Sequence, residues 1–252
     1  MDYIINQIRL CGTMETAPVF SHENHGRRFY SFFLSVERLS GTEDRLRVLA
    51  DWELLNAADA AWGERVLVTG QIRSFNQLSE TGRHLIISVY AETLELTDEA
   101  PDNQAILTGI FCREPVYRRT PLGREICDVM LAVNRPYHRT DYLPCIFWGR
   151  TAREMARLTV GVRVTLTGRL QSRDYVKTLD DGQTEQRTAY EISAVTAELT
   201  RDCRRQRGRS VGRSGPSVCA KKPPTRESRI GGCEKSLISP RSWCRQCQRS
   251  DR

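Results

Sequence analysis

Four aromatic side chains, Tyr137, Tyr142, Trp148 and Tyr175, are interleaved with Arg135, Arg139, Arg150, Arg169, Arg173 and Lys177. Aromatic faces stack on other flat rings, and guanidinium or ammonium groups neutralise phosphates. Such interleaving suits a single-stranded nucleic acid, whose bases and backbone present those two chemistries side by side. This is non-covalent work. Residues for covalent or metal chemistry are not gathered anywhere: His22, His25, His84 and His138 fall on predicted loops and strand ends with no Cys or acidic cluster beside them. His22 and His25 read as a solvated loop pair, and no Gly-rich phosphate loop is present. The expectation is therefore no catalytic residue, no metal and no cofactor.

The elements that hold these residues follow from an internal repeat. Asn6-Gln7-Ile8-Arg9-Leu10-Cys11-Gly12 returns as Asn103-Gln104-Ala105-Ile106-Leu107-Thr108-Gly109, and Leu34, Val36, Arg38, Asp44 and Leu46 meet Leu131, Val133, Arg135, Asp141 and Leu143. Gly63, Arg65, Val66 and Thr69-Gly70 then match Gly161, Arg163, Val164 and Thr167-Gly168. In the second copy, alternation predicts strands over 106–112, 125–133, 142–148, 163–172 and 188–199. A short helix is predicted over 151–158, with Thr151 and Glu154 at capping-box spacing; its counterpart in the first copy spans 53–61. Asp180-Asp181-Gly182-Gln183 carries turn chemistry between the last two strands. Because neighbours on a strand point to opposite faces, Phe147 and Trp148 cannot both be buried, and Trp148 is expected to face outward.

Five strands with a helix between the third and fourth is the order of an OB fold, with another small barrel or sandwich as the alternative. The predicted class is all-β: two tandem OB-fold five-stranded barrels over 1–99 and 103–200, each with one short helix, and a disordered Arg/Ser/Cys-rich tail over 201–252. The net charge of +7 hides a steep gradient: residues 1–100 hold 9 Lys+Arg against 15 Asp+Glu, residues 101–200 hold 14 against 12, and the tail holds 15 against 4. A polyanion is thus expected on the second copy, while the first is degenerate and acidic. The tail either adds sequence-independent phosphate affinity or has no selected role. Its Cys244 and Cys247 have zinc-ligand spacing but lack a second pair. Cys112, Cys127 and Cys145 sit in apolar, strand-like runs and read as reduced thiols that behave as small hydrophobes. With no secretory leader and no bilayer-length apolar run, a cytoplasmic, nucleoid-associated protein is expected.

The segments Leu131-Ala132-Val133-Asn134-Arg135-Pro136-Tyr137, Phe147-Trp148-Gly149-Arg150 and Thr167-Gly168-Arg169-Leu170-Gln171-Ser172-Arg173-Asp174-Tyr175 resemble the bacterial single-stranded DNA-binding protein family. The whole repeated region is similar to its tandem, two-barrel forms. The resemblance implies that Tyr137, Tyr142, Trp148 and Tyr175 stack on bases in support of DNA replication, recombination or repair. It also implies a homo-oligomer, a dimer presenting four barrels. In the first copy the matching positions of Tyr137, Tyr142 and Trp148 are Ser40, Arg45 and Asp51, so that copy is expected to be architectural, with Phe75 and Arg73 its best remaining contact. The acidic C-terminal tip with which many family members recruit replication and repair proteins is missing from the ending Gln248-Arg249-Ser250-Asp251-Arg252. An alternative keeps the fold but gives it a primosome-accessory or structural role through protein contacts.

Overall fold

The apolar alternation that marks the strands is realised in both halves of a computed structural model of the chain, which describes residues 5–79, 82–136, 139–178 and 184–200. In the first half, β1 (Asn6–Met14), β2 (Val19–Asn24), β3 (Arg27–Glu37) and β4 (Glu43–Asp51) precede α1 (Trp52–Ala58), which is followed by β5 (Arg65–Ser79) and β6 (Gly82–Leu96). The second half repeats the order with β7 (Asp102–Phe111), β8 (Val116–Arg119), β9 (Glu125–Asn134), β10 (Thr140–Trp148), α2 (Gly149–Met155), β11 (Arg163–Thr178) and β12 (Thr184–Leu199). The tail from 201 onward, and the predicted turn at 180–183, lie outside the described residues.

Five strands of each half close on themselves. β1 pairs with both β3 and β5, and β7 with both β9 and β11, so each half is a barrel whose inward residues form the core. Leu10, Leu34, Leu46 and Ile72 fill the first interior; Leu107, Phe111, Leu131 and Phe147 fill the second. Each such side chain is worth roughly 1.5–3 kcal/mol when withdrawn from water. The repeated glycines mark the places where closure leaves no room. A Cβ on Gly70 would stand 2.0 Å from the Tyr90 carbonyl oxygen, and one on Gly168 2.5 Å from that of Ser193. Both sit at the register shift where the long antiparallel strands bend to close the barrel.

Each half also has a sixth strand that alternation did not reveal. β2 and β8 are exposed along their whole length, so they carry no buried face to betray them. They lie at the two ends of the twelve-stranded order, each paired with only one neighbour. The helices also differ from expectation. α1 begins at Trp52 because the Asp51 carboxylate accepts the Glu53 amide at 2.8 Å. α2 begins two residues before the predicted Thr151, directly off β10, with Gly149 at φ 53° turning the chain. The Thr151–Glu154 capping box is therefore not formed, and Glu154 instead pairs with Arg150 at 3.0 Å.

The barrels are joined by antiparallel pairing of β1 with β7, from Asn6 opposite Leu107 to Cys11 opposite Asp102. Matching side chains do matching work on either side. The Asn6 amide bridges to both backbone groups of Ile72, at 2.8 and 2.9 Å, and the Asn103 amide to those of Leu170, at 2.7 and 3.0 Å. Two buried carboxylates tie each barrel to the other. Asp141 accepts from Arg135 and from the Ser74 amide at 2.6 Å, while Asp44 accepts from Arg38 and from the Ser172 amide at 2.7 Å. The hydroxyls of Ser74 and Ser172 in turn accept from the amides of Tyr142 and Arg45.

Candidate nucleic-acid interface

Strand β10 follows alternation except at Ile146, which shares the outward parity yet is 8% exposed. Asp141, Leu143, Cys145 and Phe147 point inward and are buried, whereas Tyr142 and Trp148 are 37% and 38% exposed. At about 3.3 Å per residue the two aromatics stand roughly 20 Å apart along one outward face. Trp148 is held in orientation by a hydrogen bond from its indole Nε1 to the Ser193 hydroxyl on β12, at 3.0 Å. Ser193 lies opposite Arg169 on β11, and from there Arg169, Arg173 and Tyr175 occupy the same face of that strand at every second or fourth residue. The Arg173 guanidinium sits 6.0 Å from the Tyr175 ring centre. Arg187, opposite Tyr175 on β12, bonds both Glu185 and the Tyr175 hydroxyl.

The predicted residues are therefore not equal in position. Tyr142, Trp148, Tyr175, Arg169 and Arg173 share the outer face made by β10, β12 and β11. Arg139 is exposed in the β9–β10 turn. Arg150 projects into solvent from α2, with its Glu154 partner one turn away, and does not line the groove beside Trp148. Arg135 is spent on the join: its guanidinium grips buried Asp141 with two bonds of 2.5 Å and reaches the Ser74 carbonyl. Tyr137 and the Lys177 side chain lie outside the described residues.

Beside Trp148 runs a groove of about 730 Å³ floored by Arg169, Gln171 and Arg173. Among the described residues neither Arg169 nor Arg173 has an ion-pair partner, which leaves both charges available to a phosphate. Glu191, half-buried at the same face, was not singled out by the sequence. Burial pushes its carboxyl above the usual range, Asp128 pushes the same way, and Arg173, Arg118 and Arg38 oppose the rise. Ser193 and Glu191 could have been found only from strand register, since a serine and a glutamate two apart on an outward strand face carry no signal of their own. Arg124, in the turn between β8 and β9, also reaches the groove.

On the first barrel, Arg45 and Asp51 stand where Tyr142 and Trp148 stand on the second. Arg45 covers the Phe33 ring at 3.9 Å and pairs with Glu15 at 2.8 Å; Asp51 caps α1 and pairs with Arg27. Phe75 is 47% exposed, and Arg73 lies 5.9 Å from the Tyr90 ring. His22 stacks on Phe29 at 5.0 Å, and His25 occupies the tight turn between β2 and β3 at φ 50°. Cys11, Cys127 and Cys145 are free and buried, and burial pushes the Cys127 thiol up to about 11. Among the described residues no three His, Cys, Asp or Glu side chains converge as a metal site.

Residues 102–200 match the model of the single-strand binding protein family. A single-stranded DNA-binding protein of Oceanobacillus iheyensis is 33% identical over 80 residues, which are 29% of this chain and 50% of that one. One of Deinococcus radiodurans is 23% identical over 228 residues, 77% of this chain and 75% of that one. The chain spans about half the length of the first of these relatives. The fold superposes on the wild-type single-stranded DNA-binding protein of Thermus aquaticus with a TM-score of 0.63 at 22% identity, covering 84% of this chain and 97% of that one. Residues 102–200 thus resemble the single-strand binding protein family in sequence, and the chain carries two OB-fold barrels in tandem.

Proposed function

We propose that the chain binds single-stranded DNA without strong sequence preference and so supports DNA replication, recombination or repair. The observation that carries this reading is the joint placement of Trp148, Tyr142 and Tyr175 with Arg169 and Arg173 on one outward face of the second barrel. Bases stack on the three rings, each contributing roughly 1–3 kcal/mol, and the arginines hold the intervening phosphates. The sequence adds Tyr137 as the fourth ring of the proposed set, and Arg139 and Lys177 as further charges. Arg135 serves this face indirectly, by fixing the strand from which Tyr142 projects. The chain acts by binding alone, without catalysis, in the cytoplasm on nucleoid DNA. Two copies assemble so that four barrels are presented together, which light scattering on the purified protein would register as twice the chain mass.

The test is a titration with oligo-dT followed by tryptophan fluorescence and gel shift. Saturable binding that prefers single strands to duplex, weakened roughly tenfold to a hundredfold by Trp148→Ala and far less by Trp148→Phe, is the expected result. No binding at low salt, or an unchanged affinity in Trp148→Ala, would overturn the proposal. Trp52, Trp62 and Trp243 also report fluorescence, so the gel shift of the variant is the decisive reading.

A further inference from the structure

The groove beside Trp148 has two walls, and one of them belongs to the other barrel. Its floor and one side come from β11 and β12, while Leu39, Ser40, Thr42, Glu43 and Arg45, with Arg38 beneath them, complete the opposite side. These are residues of the turn between β3 and β4 in the first barrel and, for Glu43 and Arg45, of the start of β4 itself. Resting on the proposed single-strand binding, we infer that this turn is a working wall of the second barrel's DNA groove, and that Leu39 packs against a base that has just passed Trp148.

Three observations carry the inference. The turn is rigid, with the Arg38 amide bonded to the Thr42 carbonyl at 2.8 Å, the Gly41 amide to the Arg38 carbonyl at 2.9 Å, and Gly41 at φ 76°. It is also fastened to the strand that floors the groove. Ser172 on β11 donates its amide to buried Asp44 at 2.7 Å, accepts the Arg45 amide on its hydroxyl at 2.9 Å, and accepts Arg38 on its carbonyl at 3.2 Å. The wall therefore keeps its distance from Arg169 and Arg173 without help from a ligand, which spares a bound strand the cost of ordering a loop. Finally, Leu39 is 97% exposed at the tip. A large aliphatic group held out in water on a rigid turn gains nothing in the free protein and gains apolar contact once a base covers it.

The groove chemistry selects the occupant. Arg38 and Arg45 in its lining are paired with Asp44 and Glu15, but Arg169 and Arg173 on its floor have no ion-pair partner among the described residues and lie beside the outward indole of Trp148, so an anionic chain bearing flat rings is matched there on both counts. The first barrel, which lacks the stacking rings of β10, thus contributes to binding by completing its neighbour's site.

The experiment measures oligo-dT affinity of the full chain carrying Leu39→Ala, Leu39→Glu, Trp148→Ala or Val160→Glu, the last an exposed valine that lines no part of the groove. Leu39 has no packing role, so circular dichroism and thermal melting should be unchanged in its variants. The expected result is a loss of about three- to tenfold for Leu39→Ala and roughly tenfold or more for Leu39→Glu, which places a negative charge at the lip, with Val160→Glu near the unaltered protein. Should Trp148→Ala weaken binding while both Leu39 variants bind normally, the lip is overturned and the stacking face stands. Equal losses in Leu39→Glu and Val160→Glu would also overturn it, by reducing the effect to general charge. If Trp148→Ala has no effect, the underlying single-strand reading fails first.

Discussion

Among single residues, Glu191 has the most to say about how the proposed face responds to its surroundings. A half-buried carboxylate on a face that receives phosphates repels them, and its raised pKa means that it gives up this charge earlier on acidification than an exposed glutamate would. The sign follows directly. As pH falls through the raised pKa, Glu191 takes up a proton, the negative charge disappears, and affinity for single strands rises. Removing the carboxylate should reproduce this at neutral pH, so Glu191→Gln is expected to bind oligo-dT several-fold more tightly and to lose most of the pH dependence that appears as the solution is acidified from neutrality. Fluorescence titrations across that range would show it, and an unchanged slope in the variant would contradict it. Trp148 is the complementary case, a residue whose outward placement was legible in the sequence. Its neighbour Phe147 had to be buried, and it is, at 0% exposure, which forces the indole outward.

At the level of elements, legibility tracked how local the cause was. The repeat and the outward placement of Tyr142 follow from spacing alone, and so do the barrel strands to within a few residues at their ends. β2 and β8 escaped because a strand with no buried face has no period to read. Arg135 was placed with the phosphate contacts for a different reason. Its partners include Ser74, 61 residues away in the other barrel, and no local pattern announces such a bond. The Arg135–Asp141 and Arg38–Asp44 pairs nonetheless appear in the repeat as matched positions, and the structure explains why both halves keep them. Breaking one should be costly. Asp141→Asn leaves Arg135 and Arg73, each 22% exposed at the side chain, facing no full charge. Stability to urea should fall by about 3 kcal/mol or more. Asp44→Asn strands only Arg38 and should cost less. A loss within experimental error in Asp141→Asn would show that the join is held by the β1–β7 ladder alone.

For the whole molecule, the distribution of charge matters more than its sum. The tail, with 15 Lys+Arg against 4 Asp+Glu, supplies the net positive excess of the sequence, whereas the proposed face draws on Arg169, Arg173 and their neighbours in the second barrel. If about three phosphates are neutralised there, the slope of log affinity against log salt should be about −2, a loss of roughly twentyfold between 50 and 200 mM. Ending the chain after residue 200 then separates the two sources. A slope that survives the truncation belongs to the barrel, and one that collapses belongs to the tail.

The pairing of β1 with β7 sets two unequal barrels about a common axis on one polypeptide. A dimer of identical subunits would write each substitution twice, once on either side of that axis. Here the aromatic floor and the overhanging leucine sit on opposite partners, and neither has an equivalent across the axis: Asp51 stands opposite Trp148, and Arg135 to Tyr142 opposite the Leu39 turn. A strand laid across such a platform meets different groups in each direction of travel. In the proposed groove the indole and the leucine are each present once per chain, so either can be replaced without touching its counterpart, which a pair of identical subunits does not allow.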